Sequence, residues 1–325
     1  MTASSGQSSG HGAAKGGARI GVLGGGPWGL SLARAARRAG SHTMLHSRRH
    51  TDIDVGGIDV TTSMEELAQC PLIIMAVPSM LARSIARKLG DHLTGAHLVV
   101  HGIRGLSGDE LLTISQILME ETPVRRMGAL GGPVQAAELN DGQPSAMVVA
   151  STFPDVTRAV TDRLQSDWLQ IHTTGDLIGL EWASALVGCL SIGVGYVQAR
   201  ADVSPGLLAA LISRAVDEGA AIASAAGADP RTLYGLGGYG DLLASMCLHD
   251  RPEVVVGREL AGGATLEEAQ KKARLRVEAV ELVPRIAKFG VRVGVPCSIF
   301  QALSEIIRGK AKPEAVVRAL FSNPA

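Results

Sequence analysis

The stretch that most restricts how this chain can fold is Arg19-Ile20-Gly21-Val22-Leu23-Gly24-Gly25-Gly26-Pro27-Trp28-Gly29-Leu30. A short apolar run ends in Gly24-x-Gly26-x-x-Gly29 and passes directly into an Ala- and Leu-rich segment. That order reads as strand, tight turn, helix. In it each glycine has its own duty. Gly24 turns the chain, Gly26 lets the backbone approach a pyrophosphate, and Gly29 lets helix and strand pack closely. The helix N-terminus then offers N–H groups to the phosphates. The glycine spacing alone is a weak sign. Its place at the head of a series of βα units makes dinucleotide binding the expected role.

The alternation continues for about 155 residues. Strands are expected at 43–46, 71–77, 96–100, 126–130, 145–150 and 168–172. Helices are expected at 30–38 with Gly40 as its stop, after Ser63 as cap with Glu66 at N3, up to residue 89, and near 109–119. The run at 71–77 is apolar throughout, as a buried parallel strand is. From Gly175 the strand pattern stops. Helical periodicity covers 177–199, 205–226, 277–289, 296–307 and 313–321, with a Gly-rich turn at 233–242. The expected fold is therefore α/β, with a doubly wound dinucleotide-binding domain at 18–174 and an all-helical substrate domain at 175–325. Residues 1–17 are rich in Gly, Ser and Ala, lack an apolar stretch, and are expected to be a flexible tail rather than a secretory signal.

Composition excludes several partners. The 31 basic and 31 acidic residues balance, which argues against nucleic acid or a membrane surface. The four cysteines are scattered without metal-site or redox spacing and suit buried thiols in the cytoplasm. No metal is expected. The apolar segment 177–197 has the length of a membrane span, but Glu181, Gln198 and the lack of a second such segment point to a core helix.

The second strand ends in Ser47-Arg48-Arg49, with no acid where one would bond an NAD ribose. Two arginines there suit the 2′-phosphate of NADP, with NAD as the other possibility. The plain alternative is solvated surface charge.

The motifs GGGPWGLSLA at 24–33, MAVPS at 75–79, HGIRG at 101–105, LGGPVQAAEL at 130–139, GDLIGLEWASAL at 175–186, GADPRTLYGLGGYGDLL at 227–243 and VEAVEL at 277–282 occur in one order and spacing. In them the chain resembles the bacterial-type NAD(P)-dependent glycerol-3-phosphate dehydrogenases, over residues 19–323. The resemblance implies an N-terminal Rossmann domain, a C-terminal helical domain, and an oxidoreductase acting on a CH–OH or carbonyl group of a small molecule. It also implies cofactor contacts at Gly24, Gly26, Pro27, Trp28, Gly29, Arg48, Arg49, Ala136 and Glu278. Asp241 falls on an acidic residue of the family's substrate site.

Departures from that family are as informative. Its strand-end KG is His101-Gly102 here, and its SGPS is Gly131-Gly132-Pro133-Val134. Its ALKN is Ala185-Leu186-Val187-Gly188, so Val187 stands at the catalytic lysine and Gly188 at the asparagine. The family's Arg-Asn pair falls on Pro252-Glu253, or, with a one-residue shift, its arginine falls on Arg251. Valine donates no hydrogen bond and no proton. His101 is the best remaining acid/base candidate, because an ordinary imidazole titrates near neutrality. The alternative is that it only packs or bonds the cofactor. Asp241 orients a catalytic group, binds substrate, or caps a helix. Gly132 and Arg251 are substrate-side candidates, and Arg104 either receives an anion or is surface charge. Three readings stay open: an NADP-dependent dehydrogenase with an altered substrate, a silent NADP-binding homologue, and an ordinary glycerol-3-phosphate dehydrogenase with a rearranged site. A homodimer is expected only from the general frequency of dimers.

Overall fold

The structure, a computed structural model, describes residues 19–48, 55–200, 203–274 and 276–310. Its first half runs β1 (Arg19–Leu23), α1 (Pro27–Arg38), β2 (His42–His46), β3 (Asp59–Thr61), α2 (Met64–Leu67), β4 (Leu72–Met75), α3 (Ala82–Gly90) and β5 (Leu98–His101). Then come α4 (Ile114–Glu121), β6 (Met127–Gly131), α5 (Ala136–Asp141), β7 (Ser145–Ala150), α6 (Pro154–Leu164) and β8 (Leu169–Thr174). The eight strands form one sheet in the order β3-β2-β1-β4-β5-β6-β7-β8. All neighbours are parallel except β6 and β7, which run antiparallel. The chain moves outward from β1 to β3 and returns to β4 on the other side. That reversal opens a crevice at the carboxyl ends of β1 and β4, where ligands of such sheets bind.

The strands form where apolar runs are buried on both faces. Ile73 and Ile74 of β4 are fully buried, and they face two different clusters of side chains, one on each side of the sheet. Gly40 ends α1 with φ +86°, and Ser63 Oγ caps α2 by accepting from Glu66 N, both as the sequence predicts. The short β3 and the helices α5 and α6 go beyond the pattern read from sequence. Pro154 at the first position of α6 was an available signal.

The helix expected near 109–119 starts only at Ile114. Residues before it fold back through paired backbone bonds between Ser107 and Leu112, and Thr113 closes a capping box with Gln116. Tertiary packing overrides the local helical pattern there, because Leu106 and Leu111 are buried in the core of the second domain.

That domain is all helical: α7 (Leu177–Gln198), α8 (Pro205–Ala225), α9 (Pro230–Tyr234), α10 (Asp241–Cys247), α11 (Pro252–Ala261), α12 (Leu266–Lys272), α13 (Ala279–Arg292) and α14 (Ser298–Ile307). The expected helix at 313–321 lies outside the described residues. Helix α7 is buried almost all round and is the axis of this domain, so its apolarity is that of a core helix. The Gly-rich stretch is a π-helical turn at Leu236–Gly240 that leads into α10. Such turns recur at functional sites, and this one delivers Asp241.

Candidate active site

The turn between β1 and α1 is built as its glycines require. Gly24 has φ +127°, and a Cβ there would lie 2.2 Å from the Ala76 carbonyl oxygen. A Cβ on Gly29 would lie 1.9 Å from the Gly24 carbonyl oxygen. Gly26 instead faces open space, with nothing within 4 Å of where its Cβ would be. The end of α1 has no side-chain cap, and Pro27 opens it. This is a cradle for a phosphate group, so the residues present fit a dinucleotide. Trp28 closes one side, its Nε1 donating to the Gly102 carbonyl oxygen at 2.8 Å.

The turn forms one wall of a cleft of ≈ 590 Å³ between the sheet edge and the helical domain. Gly26, Pro27, Trp28, Gly29, Gly132, Ala136, Arg251 and Glu278 all line it, as do Arg104 and Gly188. Glu278 Oε1 accepts from Ser79 N at 3.0 Å, and burial raises its carboxyl above the ordinary range. Arg48 sits exposed just past β2, away from the lining, and Arg49 lies outside the described residues.

Behind the lining is Asp241, fully buried. Arg104 Nη2 donates to its Oδ2 at 2.8 Å, and Arg251 Nη1 to its Oδ1 at 3.1 Å. Arg251 also bonds Ser245 Oγ, and its Nε donates to Glu253 at 3.3 Å. Asp241 thus holds two guanidinium groups that face the cleft and does not line it itself. It does not cap α10 either; Gly240 occupies that position.

Burial pushes the Asp241 carboxyl from 3.8 up to about 6; Arg104 pulls it down and Glu253 adds to the rise. A raised folded-state value means a contribution that is full below the unfolded value and is lost as pH rises through the folded one. The wild-type protein is therefore expected to lose about 3 kcal/mol of stability relative to Asp241→Asn as pH rises from about 3 to about 7. Urea unfolding of both proteins across that window checks this. A difference that stays flat rejects it.

His101 takes the packing role that the sequence left open beside the acid/base one. Its side chain is buried and does not line the cleft. Nε2 bonds Glu181 Oε1 at 3.0 Å, and Nδ1 accepts from Ile103 N at 3.4 Å. Glu181 on α7 also accepts from Ser115 N at 2.8 Å and Ser115 Oγ at 2.7 Å. His101 is pulled inward because a carboxyl group buried in an apolar interior must find hydrogen-bond partners. The signal for this was a single glutamate in an apolar helix. Val187 is also buried, and among the described residues no lysine lines the cleft.

Two family models match in tandem: the N-terminal region of NAD-dependent glycerol-3-phosphate dehydrogenase at 56–157 and its C-terminal region at 176–318. The chain belongs to that family. Among curated relatives, glycerol-3-phosphate dehydrogenase [NAD(P)+] of Caulobacter vibrioides is 28% identical, with 94% of this chain and 97% of that protein covered. The Maricaulis maris protein of the same name is 29% identical, with coverage of 94% and 96%. Among solved structures, glycerol-3-phosphate dehydrogenase from Coxiella burnetii superposes with a TM-score of 0.85 at 20% identity, covering 94% of this chain and 99% of that one. A ketopantoate reductase of Ralstonia eutropha shares the fold more loosely, with a TM-score of 0.58 at 14% identity, covering 93% and 99%. The glycerol-3-phosphate dehydrogenase family supplies the architecture and an NAD(P)-dependent oxidoreductase class. In this member the glycine cradle is intact and the wall opposite it carries arginines.

Proposed function

We propose that the protein is an NADP-dependent oxidoreductase that interconverts a carbonyl and an alcohol on a small substrate lacking a phosphoryl group. When bound, the dinucleotide accepts or supplies a hydride. Gly26, Pro27, Trp28 and Gly29 would cradle its pyrophosphate, Arg48 just past β2 would take its 2′-phosphate, and Ala136 and Glu278 would complete its pocket. One observation carries the reading. Among the described residues the buried side-chain atoms without a hydrogen-bond partner are Arg104 Nη1 and Glu278 Oε2, and both residues line the same cleft. Buried polar atoms left unpaired are rare and costly, so a donor and an acceptor of this kind await a ligand.

The charge balance supports the altered substrate. Arg104 and Arg251 are matched by Asp241 and Glu253, and Arg276, also in the lining, by Glu281, so a phosphoryl dianion would meet arginines that are already ion-paired. The family's lysine is replaced by buried Val187 and its asparagine by Gly188. Each charge-assisted hydrogen bond lost is worth about 1.5–3 kcal/mol. Gly132, just past β6, lines the same cleft, and Val134 nearby stands where the family has a serine.

The test is NADPH oxidation over a panel of small aldehydes, ketones and 2-oxo acids beside dihydroxyacetone phosphate. Turnover on an unphosphorylated carbonyl is expected, with dihydroxyacetone phosphate poorer by ~100-fold. Best turnover on dihydroxyacetone phosphate would establish the ordinary reaction. Tight NADPH binding with no turnover on any compound would establish a silent homologue. In the same titrations Arg48→Ala should weaken NADPH binding about tenfold and leave NADH binding unchanged. Equal effects on both would remove Arg48 from the 2′-phosphate site.

A further inference from the structure

The family's lysine reaches its cleft from the helix that corresponds to α7, and that helix here offers Val187 and Gly188. The loop after β5 fills the gap from the opposite side. A Cβ on Gly188 would lie 3.5 Å from Arg104 Cδ, so the arginine stem passes over the place where a side chain at 188 would begin. The guanidinium beyond it is fixed through Nη2 by Asp241 and keeps Nη1 buried and unpartnered at the cleft.

The loop itself is held on the helical domain. Leu106 and Leu111 are buried in that domain's core, and Leu111 accepts φ +55° to get there. Asp109 pairs with Arg285 at 3.2 Å and Glu110 with Arg292 at 3.6 Å, both arginines on α13. On its other side the loop begins at Gly102, whose carbonyl is bonded to Trp28 of the glycine turn. Arg104 is therefore positioned by both domains at once. A non-glycine residue held at positive φ persists only where surrounding contacts enforce it.

Resting on the oxidoreductase reading, we propose that Arg104, its stem packed over Gly188, holds the reacting oxygen of the substrate in place of the missing lysine. The guanidinium stays protonated, so it acts by hydrogen bonding and charge, not as an acid. Charge that develops on the oxygen is stabilised by Arg104, and the proton is exchanged with water. With Nη2 held by Asp241, the free Nη1 offers a charge-assisted hydrogen bond to one oxygen, which a carbonyl-bearing monoanion such as a 2-oxo acid supplies.

Oxamate, a carbonyl-bearing monoanion that resists reduction, is the probe. Its binding is read by calorimetry with and without NADPH, and NADPH binding is read separately. The wild type should bind oxamate. Arg104→Ala and Arg104→Lys should each weaken it at least tenfold, with NADPH affinity held within twofold. Gly188→Asn should weaken it similarly, because the new side chain needs the space of the arginine stem. Guanidinium chloride at low concentration should restore part of the binding to Arg104→Ala, which no loss of packing would allow. The proposal is overturned if the Arg104 variants and Gly188→Asn bind oxamate as the wild type does, or if the wild type binds none. Should Arg104→Ala fail to fold, Arg104→Lys and Gly188→Asn decide it. Oxamate binding that depends on Arg104 in a protein unable to bind NADPH would uphold the anion site and reject the dehydrogenase reading alone.

Discussion

Replacing Glu181 with alanine is expected to lower the unfolding free energy by about 3–5 kcal/mol, since each buried donor left without its partner costs about 1–3 kcal/mol. Both Glu181 oxygens are used, by His101 Nε2, Ser115 N and Ser115 Oγ. The Glu181 and His101 side chains are each only 1% exposed. Without the carboxylate three donors face a closed interior, and water has no route to replace it. The lost set also joins α7 of the helical domain to β5 and α4 of the sheet domain, so the damage crosses the domain boundary. Glu181→Gln keeps the shape but presents an amide donor to groups that donate. It should cost about 1–3 kcal/mol. Urea unfolding reads both as shifts of midpoint at constant slope. A loss under about 1 kcal/mol for Glu181→Ala would show that the network contributes little. Typical domains keep only about 5–15 kcal/mol in total, so the expected loss is a large share.

Alanine at Gly29 should abolish measurable NADP+ binding, an affinity loss of at least ~100-fold or about 2.7 kcal/mol, and should lower thermal stability as well. The new Cβ would stand 1.9 Å from the Gly24 oxygen and 3.0 Å from the Gly24 carbon, both backbone atoms that cannot rotate away. Either α1 lifts from β1 or the turn opens, and both destroy the cradle. Gly26→Ala is the contrasting case. It meets open space in the free protein, so stability should change by less than about 0.5 kcal/mol. Affinity should still fall, because the methyl group enters the volume expected for the pyrophosphate. Fluorescence titration with NADP+ and thermal melts separate the two. Wild-type affinity in Gly26→Ala would mean that no phosphate approaches that residue. Wild-type stability in Gly29→Ala would mean that the close contact relaxes freely.

The two glycines also show which features were readable in advance. Backbone sterics act within a few residues, so the spacing Gly24-x-Gly26-x-x-Gly29 announced a turn of one shape. Burial periodicity is equally local, so the alternating strands, the switch to helices after Thr174 and the core helix α7 were legible. The directions of the polar side chains around the cleft were not legible. His101 looked like an acid/base group and is turned inward by Glu181, 80 positions away. Arg104 had either surface charge or anion binding as its reading, and Asp241, 137 positions away, holds it at the cleft. Asp241 itself acts through two arginines from separate loops. Sequence alone therefore determined the backbone framework and the cofactor cradle, whose physics is short-range. Only the tertiary structure decided which polar groups face the cleft, since a buried charge takes its direction from partners that folding brings beside it.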